Sequence, residues 1–148
     1  MQPLNFPSYN FRVKNSQNKA LIFDLIRKKF IVLTPEEWVR QHVVNYLLKE
    51  KKYPQSHINV EKQIVINGLK KRYDIVVFNA DGSIHLLVEC KAPEVKITQE
   101  AFDQIARYNL DLDATYLMVT NGLAHFYCQM SKSDEKYKFL RQIPEFSR

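Results

Sequence analysis

The chain has 148 residues, the size of one ordinary domain, and 45% of them are apolar, which supplies a core and excludes a disordered chain. Lys and Arg outnumber Asp and Glu by 22 to 16, and the formal charge of +6 favours a polyanionic partner without requiring one. No apolar run reaches the roughly 18 residues of a membrane span, and no GxxxxGK[ST] loop indicates a nucleotide-driven motor. Cys90 and Cys128 lie in apolar runs, so we expect reduced, buried thiols in a cytoplasmic protein.

The first part of the chain predicts an arm followed by a short hairpin. Residues 1–19, which contain two prolines and several amides, are expected to form an extended arm lying on the domain. The run ALIFDLIRKKFIVLT, from residue 20 to residue 34, predicts two short strands joined at a basic turn, Arg27-Lys28-Lys29. That turn is either a solvated hairpin tip or a phosphate contact.

A helix is predicted to begin after this hairpin. Thr34 has the properties of an N-cap, Pro35 occupies the first helical position, and Glu37 completes a capping box. Apolar and aromatic side chains then recur at helical spacing, which predicts a core-facing helix that ends near Lys51.

The remaining sequence predicts three strands, a second helix and two more strands. The first strand is expected at residues 57–66 and is followed by a turn at Asn67-Gly68. The other two strands lie on either side of the segment NADGS. The helix is expected at residues 98–112, with Thr98 as N-cap. Two further strands flank Asn121-Gly122, and residues 131–148 form a polar C-terminal tail, expected as a short helix or a loosely held end. Because hairpins and helical crossovers alternate, this order predicts an α/β fold with a mixed central sheet flanked by helices.

The hairpin in RYDIVVFNADGSIHLLVECKAP carries charges at one end. A turn centred between Asp81 and Gly82 pairs Val76 with Leu87 and sets Asp74 opposite Glu89, with Lys91 on the face of Glu89. Apolar residues on both faces predict a central, buried hairpin, where two carboxylates are costly to desolvate unless they bind a ligand such as a divalent cation. The alternative is an Asp74–Lys91 salt bridge with Glu89 in solvent.

Several motifs here resemble those of a known nuclease superfamily. Asp74 followed after fourteen residues by Glu89-Cys90-Lys91 resembles the D-(x)n-E-x-K signature of PD-(D/E)xK nucleases, whose restriction-endonuclease-like core has the order αβββαβ. Gln104 and Tyr108 resemble the QxxxY motif of the RecB-like branch. The segments TPEEWVRQ, YDIVVF, LLVECKAP, QIARYN and VTNG together resemble the N-terminal nuclease domain of type I restriction enzyme R (HsdR) subunits over roughly residues 20–130. Tyr73 stands where such nucleases usually have Pro, and R subunits continue into a helicase-like motor, so we expect either a stand-alone relative or one domain of a larger protein.

The resemblance implies a Mg²⁺-dependent DNA endonuclease and assigns roles to its residues. Asp74, Glu89 and the Cys90 backbone carbonyl would bind Mg²⁺ or Mn²⁺, and Glu37, on the helix where many members carry an additional acid, is a further candidate. Lys91 would position or deprotonate the attacking water or stabilise the transition state. Gln104 and Tyr108 would orient Lys91, the water or a phosphate.

The expected partner is DNA, with no membrane association. Candidate phosphate contacts are Lys70, Lys71, Arg72 and Arg107, although solvated charge explains them equally well. Restriction-modification subunits, a motor subunit and a second copy of the chain are further candidate partners. Two other interpretations remain open: a non-catalytic module that binds nucleic acid or protein on the same fold, and a structural hairpin in an unrelated α/β protein.

Overall fold

The computed structural model describes residues 1–147, which form two helices and two β-sheets. A small antiparallel sheet comes first, with strands β1 (Val13–Ser16), β2 (Lys19–Asp24) and β3 (Lys29–Val32), and helix α1 (Pro35–Lys49) follows it. The main sheet contains β4 (Ile58–Ile66), β5 (Leu69–Phe78), β6 (Ile84–Cys90), β7 (Tyr116–Thr120), β8 (His125–Ser131) and β9 (Lys136–Leu140), and helix α2 (Gln99–Tyr108) connects β6 to β7. The six strands lie side by side in chain order, and only β6 and β7 are parallel.

The main sheet lies between the two helices and buries side chains on both faces. On one face, the α1 residues Val39, Val43 and Leu47 pack with strand residues such as Ile75 and Val88. On the other face, α2 contributes Phe102 and Ala106, which pack with strand residues that include Val76, Leu87, Leu117 and Val119. This arrangement confirms the predicted fold class, an α/β fold with a mixed central sheet and the order αβββαβ.

The turn and cap signals in the sequence are reproduced in the backbone. Thr34 Oγ1 accepts a hydrogen bond from the Glu37 N–H at 3.0 Å, and Thr98 caps α2 in the same way. Asn67 and Gly68 have φ values of +51° and +77°, the positive values that a two-residue hairpin turn requires. Both helices are shorter than predicted: α1 ends at Lys49, and α2 ends at Tyr108 before a 3-10 turn, Leu110–Leu112.

Each of two segments that were predicted to lack strands contains a strand. Within the predicted arm of residues 1–19, β1 pairs with β2, whereas the first twelve residues lie over α1, where Leu4 and Phe6 pack against the core. Within the predicted tail, β9 pairs with β8 and brings the Phe139 ring to 5.0 Å from that of Phe102, so the prediction of a short helix or loose end is wrong. The alternation of Lys with aromatic side chains in KYKFL suits an edge strand with one solvated face. Arg148, the last residue of the predicted tail, lies outside the described residues.

Neither helix in residues 1–147 combines the length and the apolar character needed to cross a membrane. Cys90 and Cys128 are both buried free thiols, which agrees with the apolar runs that contain them.

Candidate active site

The pleat of the sheet reverses at Asp74. Ile75 packs on the α1 face, but Tyr73 packs on the α2 face, although residues two apart in a regular strand share a face. On the neighbouring strand, Glu61 has a φ of +55° and lies between the paired positions Val60–Ile75 and Lys62–Tyr73. Asp74 therefore lies in a local distortion of β5 that strict alternation does not describe.

The predicted register of the hairpin is confirmed from the Val77–Leu86 pair toward the charged end, whereas next to the turn Phe78 pairs with Ile84, because the register shifts by a bulge between Val77 and Phe78. Val76 pairs with Leu87, and the ladder between β5 and β6 continues to Ile75 and Val88. At the next position the Asp74 carboxylate takes the place of a backbone partner, since its Oδ2 accepts a hydrogen bond from the Cys90 N–H at 2.8 Å. The predicted juxtaposition of Asp74 and Glu89 is thus present in an altered form, with Asp74 fixed by the backbone of β6.

Arg40 of α1 lies at the centre of an acidic cluster, which consists of Glu36, Glu37, Glu61 and Asp74. Its Nη2 donates to Asp74 Oδ1 at 2.7 Å and lies 2.6 Å from Glu61 Oε1, while its Nη1 donates to Glu37 Oε1 at 2.7 Å. Burial alone would lower the pKa of Arg40, but the carboxylates of Glu37 and Asp74 outweigh burial and raise it. Arg40 Nε is buried without a hydrogen-bond partner, so the guanidinium is held here by its carboxylate contacts.

Glu37 contacts Asp74 only through Arg40. The capping box would turn the Glu37 carboxylate back to Thr34, but instead it accepts hydrogen bonds from Arg27, Arg40 and Gln41, at distances from 2.7 to 3.0 Å. The reciprocal half of the predicted capping box is therefore wrong, and the interpretation of Glu37 as a metal ligand is not supported by its contacts.

Glu36, the preceding residue, is the acid of this turn that lies beside Asp74. Burial and the charge of Asp74 raise the pKa of Glu36, while Arg40 and Lys91 oppose that rise. The side chain of Glu36 is half-exposed, and its Oε1 lies 3.7 Å from Arg40 Nη2. Glu36 is thus the most exposed acid of the cluster, followed by Glu61, whose side chain is partly exposed.

Glu89 is the carboxyl group with the weakest compensation. Its Oε1 is buried without a hydrogen-bond partner, and Lys71 Nζ lies 3.9 Å away. Burial, followed by repulsion from Asp74, raises the pKa of Glu89 well above its ordinary value, although Lys71 and Lys91 pull it down. A carboxyl group in this state gains from an additional cation, because a cation replaces the proton that burial otherwise favours.

The donor set fits a magnesium-type cation better than a metal held by protein side chains alone. Within residues 1–147, no three or more His, Cys, Asp or Glu side chains are grouped to hold a metal. Asp74 and Glu89 supply two carboxylates, and Mg²⁺ usually binds one or two of these and takes its other ligands from water and substrate phosphate. The Cys90 carbonyl, at the end of β6, remains the predicted third protein ligand.

Lys91 follows β6 directly and is exposed to solvent. Its backbone N–H donates to Thr120 O at 2.8 Å, which continues the contact between β6 and β7 past the last strand residue. Its positive charge opposes the rise in the pKa of both Glu36 and Glu89. The grouping of Lys91 with Glu89 stays a prediction.

On α2, the side chains of Gln104 and Tyr108 are both exposed, and Tyr108 is 60% exposed. Lys71 Nζ lies 4.3 Å from the centre of the Tyr108 ring and 4.7 Å from that of Tyr73. Tyr108 is therefore connected to Glu89 through Lys71, whereas Gln104 makes no hydrogen bond to another side chain in the described part of the chain.

The four predicted phosphate contacts separate into two groups. Lys71 and Arg107 line one cavity of about 230 Å³, together with Tyr73 and Tyr108. Lys70 and Arg72 alternate with Lys71 along β5, and Arg72 Nη1 lies 3.8 Å from Glu61 Oε2 with 63% of its side chain exposed.

The sequence interpretation missed Arg40, Glu36 and Glu61. Arg40 follows Glu36 and Glu37 at helical spacings of four and three, so the pattern could have indicated an ion pair on one helix face. No comparable signal points to Glu61. The positive φ of Glu61 sets the direction of its side chain, and the alternation of residues along a strand does not reveal such an angle.

Comparison with known families gives a match over most of the chain. A family model described as type I restriction enzyme R protein N terminus (HSDR_N) matches residues 35–144. The matched region includes α1, α2 and the whole six-stranded sheet, and therefore also Asp74, Glu89 and Lys91. A search of curated proteins found no match.

Proposed function

Since the chain belongs to the family of type I restriction enzyme R protein N termini, we propose that it is a metal-dependent DNA endonuclease domain that hydrolyses phosphodiester bonds. One observation carries the proposal: Glu89 Oε1 is buried without a hydrogen-bond partner beside Asp74, at the solvent-accessible end of a central hairpin. Strained electrostatics of this kind are concentrated at functional sites, because a purely structural carboxylate is normally hydrogen-bonded.

The chain's own residues divide the work of the reaction between them. Asp74 and Glu89, with the Cys90 carbonyl, would hold Mg²⁺ or Mn²⁺. When bound, the cation makes a water molecule more acidic and offsets charge on the phosphate. Arg40 fixes the orientation of Asp74 through its Oδ1, and the Cys90 N–H fixes Oδ2, so the carboxylate is oriented before substrate arrives.

Lys91 is proposed to act on the attacking water or on the negative charge that develops on the phosphate. Its exposed side chain near Glu89 can, as the ammonium, hold the attacking water or stabilise negative charge on the phosphate, or, as the neutral amine, remove the proton of that water. Tyr108 and Gln104 are proposed to orient substrate from α2. Lys71 and Arg107 provide positive charge for the DNA backbone beside the site.

A second candidate function is a non-catalytic module that binds nucleic acid or protein on the same fold. It is favoured by the Arg40 contacts, because Arg40 already compensates Asp74 and would stabilise the cluster without any cation. In this alternative, the unpartnered oxygen of Glu89 has no role.

Nicking of supercoiled plasmid in Mg²⁺ or Mn²⁺ distinguishes the two functions. We expect the native chain to nick the plasmid, and we expect Asp74→Ala and Lys91→Ala to reduce the rate by about a hundredfold or more. Matched controls are Asp81→Ala, at the turn of the same hairpin, and Lys96→Ala, an exposed lysine beyond the site, and neither should change the rate.

Equal rates in the native chain and both site variants would contradict the catalytic assignment. DNA binding by a native chain that does not nick in either metal would favour the non-catalytic module. We propose DNA as the partner of this surface, with restriction-modification or motor subunits as further partners. A double-strand break would need a second copy of the chain or a second encounter, because one such site cuts one strand.

A further inference from the structure

The cavity between the tip of the β4–β5 hairpin and the end of α2 is adjacent to the proposed nuclease site. Its volume of about 230 Å³ is below the roughly 300–1,000 Å³ of a drug-sized ligand pocket. Apolar side chains line it, among them Ile66, Leu69 and Leu112, and the Tyr108 ring forms an exposed wall. These features suit one flat, largely apolar ring system.

Lys71 links this cavity to the site. The same ammonium group that lies 3.9 Å from Glu89 Oε1 lies 4.3 Å from the centre of the Tyr108 ring. The two distances are short enough for a strand with a phosphate beside Glu89 to reach the mouth of the cavity with a neighbouring base. Asn67, Arg107 and Asp111 also line the cavity and offer donors and acceptors to the polar edge of a base.

We infer that this cavity binds one unpaired nucleobase of the strand that is cut, and that the substrate is single-stranded or locally unpaired DNA. The inference rests on the proposed nuclease function, which supplies the strand. A base inside a duplex is stacked and paired, so it must leave the stack before it can enter a concave site. Stacking on an aromatic side chain, with positive charge along the backbone, is the usual chemistry of single-strand binding.

The test is fluorescence anisotropy with labelled oligothymidylate in EDTA, so that binding is measured without cleavage. Ile66→Trp fills the cavity, and Val65→Trp is its matched control, because Val65 is the preceding strand residue, is 56% exposed, and does not line the cavity. Tyr108→Ala is a second variant at a 60% exposed position where folding is not at risk, with Tyr108→Phe to restore the ring. Thermal melting checks that each variant is folded.

We expect Ile66→Trp and Tyr108→Ala to weaken oligothymidylate binding by about tenfold or more, and Val65→Trp and Tyr108→Phe to bind like the native chain. An abasic oligomer of the same length should bind the native chain and all four variants equally. Perfectly paired duplex should bind the native chain more weakly than the single strand does.

The inference is overturned if Ile66→Trp and Tyr108→Ala bind oligothymidylate like the native chain. It is also overturned if these variants weaken binding of the abasic oligomer as much as binding of oligothymidylate. It is also overturned if the native chain binds no single strand. Plasmid nicking by the native chain is scored separately. Nicking without a cavity effect would overturn only the cavity inference. A cavity effect without nicking would support base binding in the cavity but overturn the nuclease, and with it the assignment of the bound strand as the strand that is cut.

Discussion

Removal of the Arg40 guanidinium should strongly destabilise the protein. Arg40→Met keeps much of the aliphatic stem and deletes the charge that contacts Glu37, Glu61 and Asp74. Glu37 would retain Arg27 and Gln41, and Glu61 is partly exposed and can be hydrated. Asp74 would retain the Cys90 N–H as its remaining hydrogen bond, so most of the penalty falls on Asp74.

The magnitude follows from these contacts. Breaking a buried ion pair by removing one partner typically costs about 3–5 kcal/mol, because the other charge stays buried without compensation. In the native chain Arg40 Nε is buried without a hydrogen-bond partner, which is unfavourable. Its removal therefore offsets about 1 kcal/mol of the loss in stability. We therefore expect the free energy of unfolding to fall by about 2–4 kcal/mol.

Urea denaturation followed by circular dichroism measures this change as a shift of about 1–2 M in the midpoint. Arg72→Met is the matched control, since Arg72 also contacts Glu61, but at 3.8 Å with a 63% exposed side chain, and should change stability by less than about 1 kcal/mol. A loss below about 1 kcal/mol for Arg40→Met would refute the reasoning. Arg40→Lys, which keeps the charge without the planar fork, should fall between the two.

Two further predictions concern regions next to the site. For Asp24, burial raises the pKa, but hydrogen bonds from Arg27 and Ile26 outweigh burial and lower it. Its stabilisation is therefore complete above the unfolded-state pKa of about 3.9 and is lost as the pH falls through the lower folded-state pKa. Asp24→Asn should reduce stability by about 1–3 kcal/mol at pH 7, and urea titrations should show this difference shrinking below about pH 4; a difference independent of pH would contradict the ion-pair account. Gly122→Ala should destabilise the protein more than Gly68→Ala, because both have a positive φ but only a Cβ at Gly122 would meet Leu4, at 2.9 Å. Amide exchange of Asn5, whose N–H donates to Gly122 O, should accelerate only in Gly122→Ala, and equal exchange in both variants would show that this contact does not hold the N-terminal segment.

Much of the fold was predictable because its signals are local. Thr34-Pro35 and Thr98 begin helices through their own side chains, and Asn67-Gly68 supplies the two positive φ angles of a tight turn. The turn at Gly82 predicted the register that brings Asp74 near Glu89, but the structure reaches that register only through a bulge between Val77 and Phe78. The β9 strand was missed because its alternation is mostly lysine and aromatic residues, and its pairing with β8 and the packing of Tyr137 and Phe139 on Phe102 are tertiary features that distinguish it from a solvated tail.

The site was predictable as a cluster but not in its detail. A local explanation of Glu37 as a capping residue concealed its long-range contacts with Arg27 and Arg40. The reversal of the pleat at Asp74 depends on the positive φ of Glu61 on the adjacent strand, and neither residue type signals it. Such features arise from tertiary contacts, which local sequence patterns do not specify.

The proposed cation site at Asp74 and Glu89 can be tested by titrating Mn²⁺ into the protein and following free Mn²⁺ by electron paramagnetic resonance. We expect one site in the native chain, at least tenfold weaker binding in Asp74→Asn and in Glu89→Gln, and unchanged binding in Glu94→Gln, an exposed acid a few residues beyond the site. Equal Mn²⁺ affinity in the native chain and both site variants would contradict the assignment of these carboxylates as the ligands.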